Sequence, residues 1–292
     1  MSTKTRKKGT LFIVSTPIGN RDDITKRALD ILATADVIAA EDTRKTRKLL
    51  AHHQIKAKLI SYHEHNESER TPKLLKQLRE GTTIALVSTA GTPMVSDPGY
   101  RLVAGAIAEN LTIVPIPGVS ALVTALCVAG LPTDAFVFCG FPPKKKPKRI
   151  KRLEELARNP QTIIFYESPK RIVRFIEELV EVMGDRQAVL CRELTKLYEE
   201  IIRGQLNGIL HDLHRRPDIK GECTLLISGK AVEQHTSVAT LRDEIIAALE
   251  TMDCGASGIA KKIAKKYGIP KDRIYAEVLE IKRESIWKPY VR

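Results

Sequence analysis

Cysteine is scarce in this chain, with five in 292 residues and no Cys-x-x-Cys pair. Cys127, Cys139, Cys191, Cys223 and Cys254 are widely spaced and lie mostly in apolar runs. That pattern argues against a disulfide framework or a zinc knuckle and predicts reduced core residues. Long hydrophobic runs are also missing. No apolar stretch approaches the roughly 18 residues of a membrane span, and the polar Ser2 to Lys8 segment lacks the apolar stretch of a secretory signal. A cytoplasmic protein without membrane contact is expected. Neither Gly-x-Gly-x-x-Gly nor a Gly-rich loop ending in Gly-Lys-Ser or Gly-Lys-Thr occurs, so phosphate cradling by a dinucleotide fold or a P-loop is not the theme. Acidic residues are in deficit, 35 against 48 Lys and Arg, and the resulting +13 favours a polyanionic partner.

What the chain does have is strands that empty into turn-rich loops. Ile84-Ala85-Leu86-Val87 runs into Ser88-Thr89-Ala90-Gly91-Thr92-Pro93-Met94-Val95-Ser96-Asp97-Pro98-Gly99. The same change occurs after Leu11 to Val14, at Ser15-Thr16-Pro17-Ile18-Gly19-Asn20, and after Ile113, at Pro115-Ile116-Pro117-Gly118-Val119-Ser120. In an open α/β sheet, ligands lie outside the carboxyl ends of the strands, so one site is expected to gather these three exits. Scattered backbone donors and acceptors with one or two carboxylates suit a ligand carrying ribose hydroxyls, an adenine edge and an amino-acid head. Asp97 is the best candidate carboxylate, with a helix N-cap as its competing role. The competing reading of the first exit is a tight turn into a helix capped by Asp22 or Asp23.

Short β-branched runs (36–40, 58–61, 83–88, 112–116) alternate with helical spacing (24–34, 44–52, 67–79, 98–109, 119–129), which predicts a βα repeat with a largely parallel sheet. A turn cluster at Gly130 to Asp134 marks a boundary, and a second α/β set follows with strands at 136–139, 162–166, 187–191 and 223–228. Past the polar stretch 229–237 only helices are expected, at 241–252, 256–267 and 271–282. The expected organisation is two α/β domains, 1–130 and 131–230, and a small helical unit, 238–292.

Two basic features stand out. Lys144-Lys145-Lys146-Pro147-Lys148-Arg149-Ile150-Lys151-Arg152 reads as a loop with seven cations in nine positions, either a solvated surface or a phosphate-binding element. Lys261, Lys262, Lys265 and Lys266 lie on the first helix of a helix, Gly268 turn, helix pattern that reads as a helix-turn-helix or as a packing appendage. The segment His63-Glu64-His65 lacks a third ligand and the spacing of a metal site, so no metal is expected.

Thr16-Pro17-Ile18-Gly19-Asn20, Ala40-Glu41-Asp42-Thr43-Arg44, Ala90-Gly91-Thr92-Pro93, Ser96-Asp97-Pro98-Gly99, Pro117-Gly118, Phe165-Tyr166-Glu167-Ser168-Pro169, Arg192-Glu193-Leu194-Thr195-Lys196 and Lys220-Gly221-Glu222 carry a resemblance over nearly the whole chain. The chain resembles bacterial methyltransferases of the tetrapyrrole methylase fold family that modify a cytidine 2'-hydroxyl in the decoding region of 16S rRNA. It departs from many of them at Thr89, where an acidic residue is usual. The resemblance implies S-adenosylmethionine in a cleft between two α/β halves, contacted by Pro17, Gly91, Thr92, Val95, Asp97, Pro117, Gly118, Ser120, Cys127 and Tyr166. It further implies 16S rRNA or the small ribosomal subunit as partner, no DNA, and a homodimer. A ribose hydroxyl is a weak nucleophile that benefits from a base and a cation. Among the rim candidates Glu41, Asp42, Arg44, Glu167, Lys170, Glu193 and Lys196, the expectation falls on Glu167 and Glu193 as bases, with Arg44 and Lys196 stabilising charge. Lys144, Lys145, Lys146, Lys148 and Arg149, with the four lysines near the C-terminus, are expected on RNA. Methylation of a small tetrapyrrole and a non-catalytic RNA-binding or ribosome assembly role are the competing readings.

Overall fold

In the first half, apolar strands are followed by amphipathic helices, and each strand returns parallel to its neighbours. A computed structural model describes residues 8–230, 238–251, 254–267 and 270–287. The order is β1 (Thr10–Val14), α1 (Lys26–Thr34), β2 (Val37–Ala40), α2 (Thr43–His52), β3 (Leu59–Ser61), α3 (Glu67–Arg79), β4 (Ile84–Val87), α4 (Tyr100–Ala108), β5 (Thr112–Ile116) and α5 (Ala121–Ala129). The five strands form one parallel sheet, ordered β3-β2-β4-β1-β5. Strands β2 and β4 are buried at every position, as expected for a sheet covered on both faces. Alternation along β1 serves both: Leu11 and Ile13 pack with Leu74, Leu78 and Leu102 of α3 and α4, whereas Val14 packs with Ala28, Leu32 and Leu50 of α1 and α2.

The second half comprises β6 (Phe136–Phe138), α6 (Lys146–Leu156), β7 (Thr162–Glu167), α7 (Ile172–Met183), β8 (Gln187–Arg192), β9 (Glu200–Gln205), α8 (Leu206–His214) and β10 (Cys223–Ile227). Its sheet is ordered β6-β7-β10-β8-β9, and unlike the first it is mostly antiparallel. The β6–β7 pair is parallel, and the β7–β10, β10–β8 and β8–β9 pairs are antiparallel. The repeat breaks because β8 and β9 form a hairpin and β10 inserts between β7 and β8. One face of this sheet carries α6, α7 and α8; Ile172, Phe175, Ile176, Leu179 and Met183 form the buried stripe of α7 at three- and four-residue spacing. The other face, with Ile164, Val189, Cys191 and Leu226, packs with Ile18 and with Ala125 and Ala129 of α5. That joint core runs across position 130, so both sheets belong to one compact unit ending at Lys230.

Four local expectations are corrected. The basic segment is not a loop throughout, because α6 begins at Lys146 with Pro147 in its first turn. Helix α1 is capped by Thr25, whose hydroxyl accepts from the Ala28 amide at 3.1 Å, rather than by Asp22 or Asp23. Asp97 does not cap α4, since Gly99 holds that position and the helix starts at Tyr100. Cys127 and Cys254 are exposed, which leaves Cys191 and Cys223 as fully buried cysteines.

A second compact unit follows Lys230. It contains α9 (Val238–Thr251), α10 (Ala256–Tyr267) and α11 (Lys271–Trp287), closed around Ile245, Ile259, Ile263, Ile274, Val278 and Ile281. Gly268 of the expected turn, residues 231–237 and the first seven residues lie outside the described residues. Among those described, no helix is long and apolar enough to cross a membrane.

Candidate active site

Three strand exits are stitched together by their own backbone. The Thr16 amide donates to the Gly91 carbonyl at 2.8 Å and the Gly91 amide to the Thr16 carbonyl at 2.9 Å, joining the exits of β1 and β4. Thr92 extends the join to the third exit: its Oγ1 lies 2.9 Å from Ser15 Oγ and donates to the Val119 carbonyl at 3.0 Å. Gly91 has φ +82°, a conformation that side chains resist. Gly118 is needed for a different reason: a Cβ there would sit 2.8 Å from Ser15 Cβ.

These loops wall a cavity of about 470 Å³, a size suited to a small-molecule ligand. Of the residues expected on the cofactor, Gly91, Thr92, Val95, Asp97, Ser120 and Tyr166 line it. Pro17, Pro117, Gly118 and Cys127 do not line it: the first three lie in loops that shape the wall, and Cys127 is exposed on α5. The segment between Thr92 and Gly99 is strained, with Met94 at φ +71° and Ser96 at φ +67°. Non-glycine residues at positive φ are uncommon and cluster where loops hold a ligand.

The cavity's charge comes from an acid pair. Glu41 follows β2 and accepts the Thr89 amide through Oε2 at 2.8 Å, so a carboxylate meets the wall at Thr89 even though residue 89 is not acidic. Burial, reinforced by repulsion from Glu41, pushes Asp97 up to about 7. Lys45, in the first turn of α2, also lines the cavity. Arg44, the expected cation, does not line it; its side chain is 86% exposed and pairs with Asp42 at 3.3 Å. Asp42 in turn caps α2, accepting from the Arg44 and Lys45 amides, and the Arg44 guanidinium holds its carboxyl below the usual range. Sequence reading missed Lys45; the signal was its place in the first turn of a helix capped at Asp42, beside Glu41.

The second sheet supplies the opposite wall. Antiparallel register sets Cys223 against Glu167 and Thr224 against Tyr166, so Tyr166, Glu167, Glu222, Cys223 and Thr224 reach the same cavity. Tyr166 is anchored by the Leu122 amide, which donates to its hydroxyl at 2.9 Å, and burial pushes its pKa up. Glu167 is buried and committed: Oε1 accepts from Arg171 Nη2 and the Ser168 amide, both at 2.6 Å, and from Arg171 Nε at 2.9 Å. Three donors thus converge on the one oxygen Oε1, and Glu167 is held in an ion pair with Arg171.

Glu193 and Lys196 form a separate cluster outside the cavity lining. Glu193 Oε1 accepts from Lys196 Nζ at 2.7 Å and from the Glu222 amide at 2.9 Å, while Lys196 also reaches Glu222 at 3.0 Å. Burial opposes the charge on Glu193, but the ammonium and the amide outweigh it and hold the carboxyl below its ordinary range. Partial burial of Lys196 is likewise outweighed by its two carboxylates, which raise its pKa. Neither residue is free to exchange a proton near neutrality; instead they tie the loop after β8 to the start of β10.

Of the expected RNA contacts in the first unit, Lys144, Lys145, Lys146 and Lys148 are exposed. Arg149 is not: it is 7% exposed, and its guanidinium forms a bidentate pair with Glu178 at 2.5 and 2.8 Å. In the C-terminal unit, Lys261, Lys262, Lys265 and Lys266 are exposed on α10, with Lys266 paired to Glu244. Among the described residues, no group of three or more His, Cys, Asp or Glu side chains is placed to hold a metal ion.

The model of the tetrapyrrole (corrin/porphyrin) methylases matches residues 10–210. This chain belongs to that family. It is 45% identical to the ribosomal RNA small subunit methyltransferase I of Halalkalibacterium halodurans, over 92% of this chain and 94% of that protein. The protein of the same name from Mesorhizobium japonicum is 44% identical over 94% and 93% of the two chains, so kinship extends through nearly the whole length. Solved structures show the same fold. The methyltransferase CobJ superposes with a TM-score of 0.58 at 22% identity, over 76% of this chain and 95% of its own. A uroporphyrin-III C-methyltransferase of Thermus thermophilus in complex with S-adenosyl homocysteine gives 0.53 at 20% identity, over 77% and 99%.

Proposed function

We propose that this methyltransferase transfers a methyl group from S-adenosylmethionine to a cytidine 2'-hydroxyl in the decoding region of 16S rRNA in the small ribosomal subunit. The observation that carries the reading is full-length kinship, at 44–45% identity, with proteins named ribosomal RNA small subunit methyltransferase I. The residues of the cavity fit the cofactor. Glu41 and Asp97 offer negative charge to a cationic ligand, Ile18, Val95 and Tyr166 offer apolar surface, and the Thr16–Gly91 and Thr92–Val119 bonds hold the wall in place before a ligand arrives. When bound, S-adenosylmethionine supplies the methyl group and a good sulfur leaving group.

The protein's part is to align, dry and deprotonate. Asp97, at about 7, is matched to accepting a proton near neutral pH, and it takes the role first expected of Glu167 and Glu193. Lys45 places a cation where an alkoxide develops. Glu167 with Arg171 fixes the loop of Ser168 and Pro169, and the Glu193–Lys196–Glu222 cluster fixes the opposite lip. Exposed Lys144, Lys145, Lys146 and Lys148, with Lys261, Lys262 and Lys265, bind the RNA backbone in this reading. The 2'-hydroxyl distinguishes RNA from DNA.

The test is transfer of labelled methyl to small subunits purified from cells lacking this protein, with free rRNA and uroporphyrinogen in parallel. Label in rRNA at one alkali-resistant dinucleotide supports ribose methylation. Label confined to the tetrapyrrole, or RNA binding with no transfer, overturns it.

A further inference from the structure

Beside the first cavity lies a second concavity of about 420 Å³, between the Phe141–Pro143 turn and α6. Phe141 lines both. We infer that this groove is a subsite for one nucleotide of the RNA flanking the methylated ribose, with its base against Phe141 and its phosphate on Lys148 and Lys151. The inference rests on the RNA reading above and specifies which surface holds the neighbouring nucleotide.

Three observations converge. First, Phe141 is 56% exposed, which leaves its ring open to a stacking partner. Its ring meets Tyr166 edge-on, with centroids 5.7 Å apart and planes at 63°, and Tyr166 lines the first cavity, so a base resting on Phe141 lies directly beside that cavity. Second, the groove pairs that ring with positive charge. Lys148 and Lys151 line it and form no ion pair among the described residues, whereas the carboxylate of Glu155 is already matched by Arg152 at 3.0 Å. An exposed aromatic beside two unpaired cations suits a ligand with a π-face and a phosphate, and base stacking on aromatic side chains is how unpaired RNA is held.

Third, the turn is fixed in place. Arg149 Nη1 donates to the carbonyls of Pro143 and Lys144, both at 2.9 Å, while its other nitrogens grip Glu178 on α7. The cation expected to touch RNA instead fastens the segment carrying Phe141, and a prearranged contact loses less entropy on binding.

The probe is a short single-stranded RNA carrying 2-aminopurine, a fluorescent base quenched by stacking, titrated into wild-type protein, Phe141→Ala, Phe141→Trp and the Lys148→Gln/Lys151→Gln pair. Expected are strong quenching with wild type and Phe141→Trp, and little with Phe141→Ala, whose KM for small subunits rises about tenfold. The double lysine variant should lower the salt slope of binding by about 0.7, one phosphate's worth on a single strand. Because Phe141 also lines the first cavity, S-adenosylmethionine affinity is measured by calorimetry. Phe141→Ala with wild-type quenching and KM overturns the subsite, as does a defect confined to cofactor affinity. If wild-type protein methylates no rRNA, the proposed function fails, and the quenching series still decides whether the groove binds a base.

Discussion

Replacing Asp97 with Asn is expected to stabilise the ligand-free protein while slowing methyl transfer. Burial, with added repulsion from Glu41, moves the Asp97 carboxyl from an ordinary 3.8 to about 7. Between those values the folded chain holds a proton that the unfolded chain releases. The group's contribution to stability is therefore greatest below pH 3.8, declines as pH rises through the window, and levels off above about 7, where both states are ionised. A shift of roughly three units at about 1.4 kcal/mol each sets a ceiling of about 4 kcal/mol. Water reaches this half-buried carboxyl through the cavity mouth and screens the repulsion, so about half, ~2 kcal/mol, is the expected magnitude. In a unit of this size that corresponds to about 4–8 °C in Tm. An amide does not titrate, so the gain of Asp97→Asn over wild type should be near zero at pH 4, grow to neutrality and stay constant beyond. Scanning calorimetry of both proteins from pH 4 to 9 without ligand measures it directly. A gain that is the same at every pH, or a loss at pH 8, would refute the account of Asp97 as an acid held against its preference.

The other expectations follow from buried or crowded groups. Arg149→Met leaves the buried Glu178 carboxylate facing Arg174, which is 67% exposed and 3.5 Å away, in place of its bidentate partner, and should cost about 3 kcal/mol, with Arg149→Met/Glu178→Leu recovering much of the loss; urea denaturation of Arg149→Met, Glu178→Leu and the double variant reads the coupling. Gly221→Ala adds a Cβ 2.3 Å from Glu193 Cγ at a backbone φ of +90°. It should displace Glu193 from Lys196 and the Glu222 amide and destabilise by about 1–3 kcal/mol, seen as a lower denaturation midpoint.

Strand exits were legible because they are local: an apolar run followed by Thr16-Pro17 or Ala90-Gly91-Thr92 marks its own end. What the sequence did not reveal depends on partners distant in the chain. Strand β9 begins and ends with polar residues and contains Gly204, since it lies at the edge of its sheet beside β8 alone. The antiparallel pairing of β10 is set by register with β8 and with β7, the latter 56 and more positions earlier, and composition does not encode strand direction. Arg149 looked like one more cation in a basic run because Glu178, its partner, lies 29 residues away on another helix. The acid pair was half visible: Asp97 stood out in its loop, whereas Glu41 read equally well as part of a helix start.

Strand order explains why these residues meet. Strands β2 and β4 run parallel with Ala40 opposite Val87, so both end at the same level, and the residues just past them, Glu41 and Ser88-Thr89, emerge side by side. The Glu41 amide continues the ladder to the Val87 carbonyl at 3.3 Å before its side chain turns to the Thr89 amide. Asp97 returns to that point because its loop is tied back through Gly91 and Thr92 to β1 and the exit of β5. On the other wall, antiparallel pairing brings the start of β10 alongside the end of β7, and Tyr166 meets Thr224 from 58 positions away. The cavity is thus made by register, and its frame asks little of the side chains beyond glycine at positions 91 and 118. Solved structures at 20–22% identity share the fold, and a shared fold leaves the chemistry to the side chains placed on it.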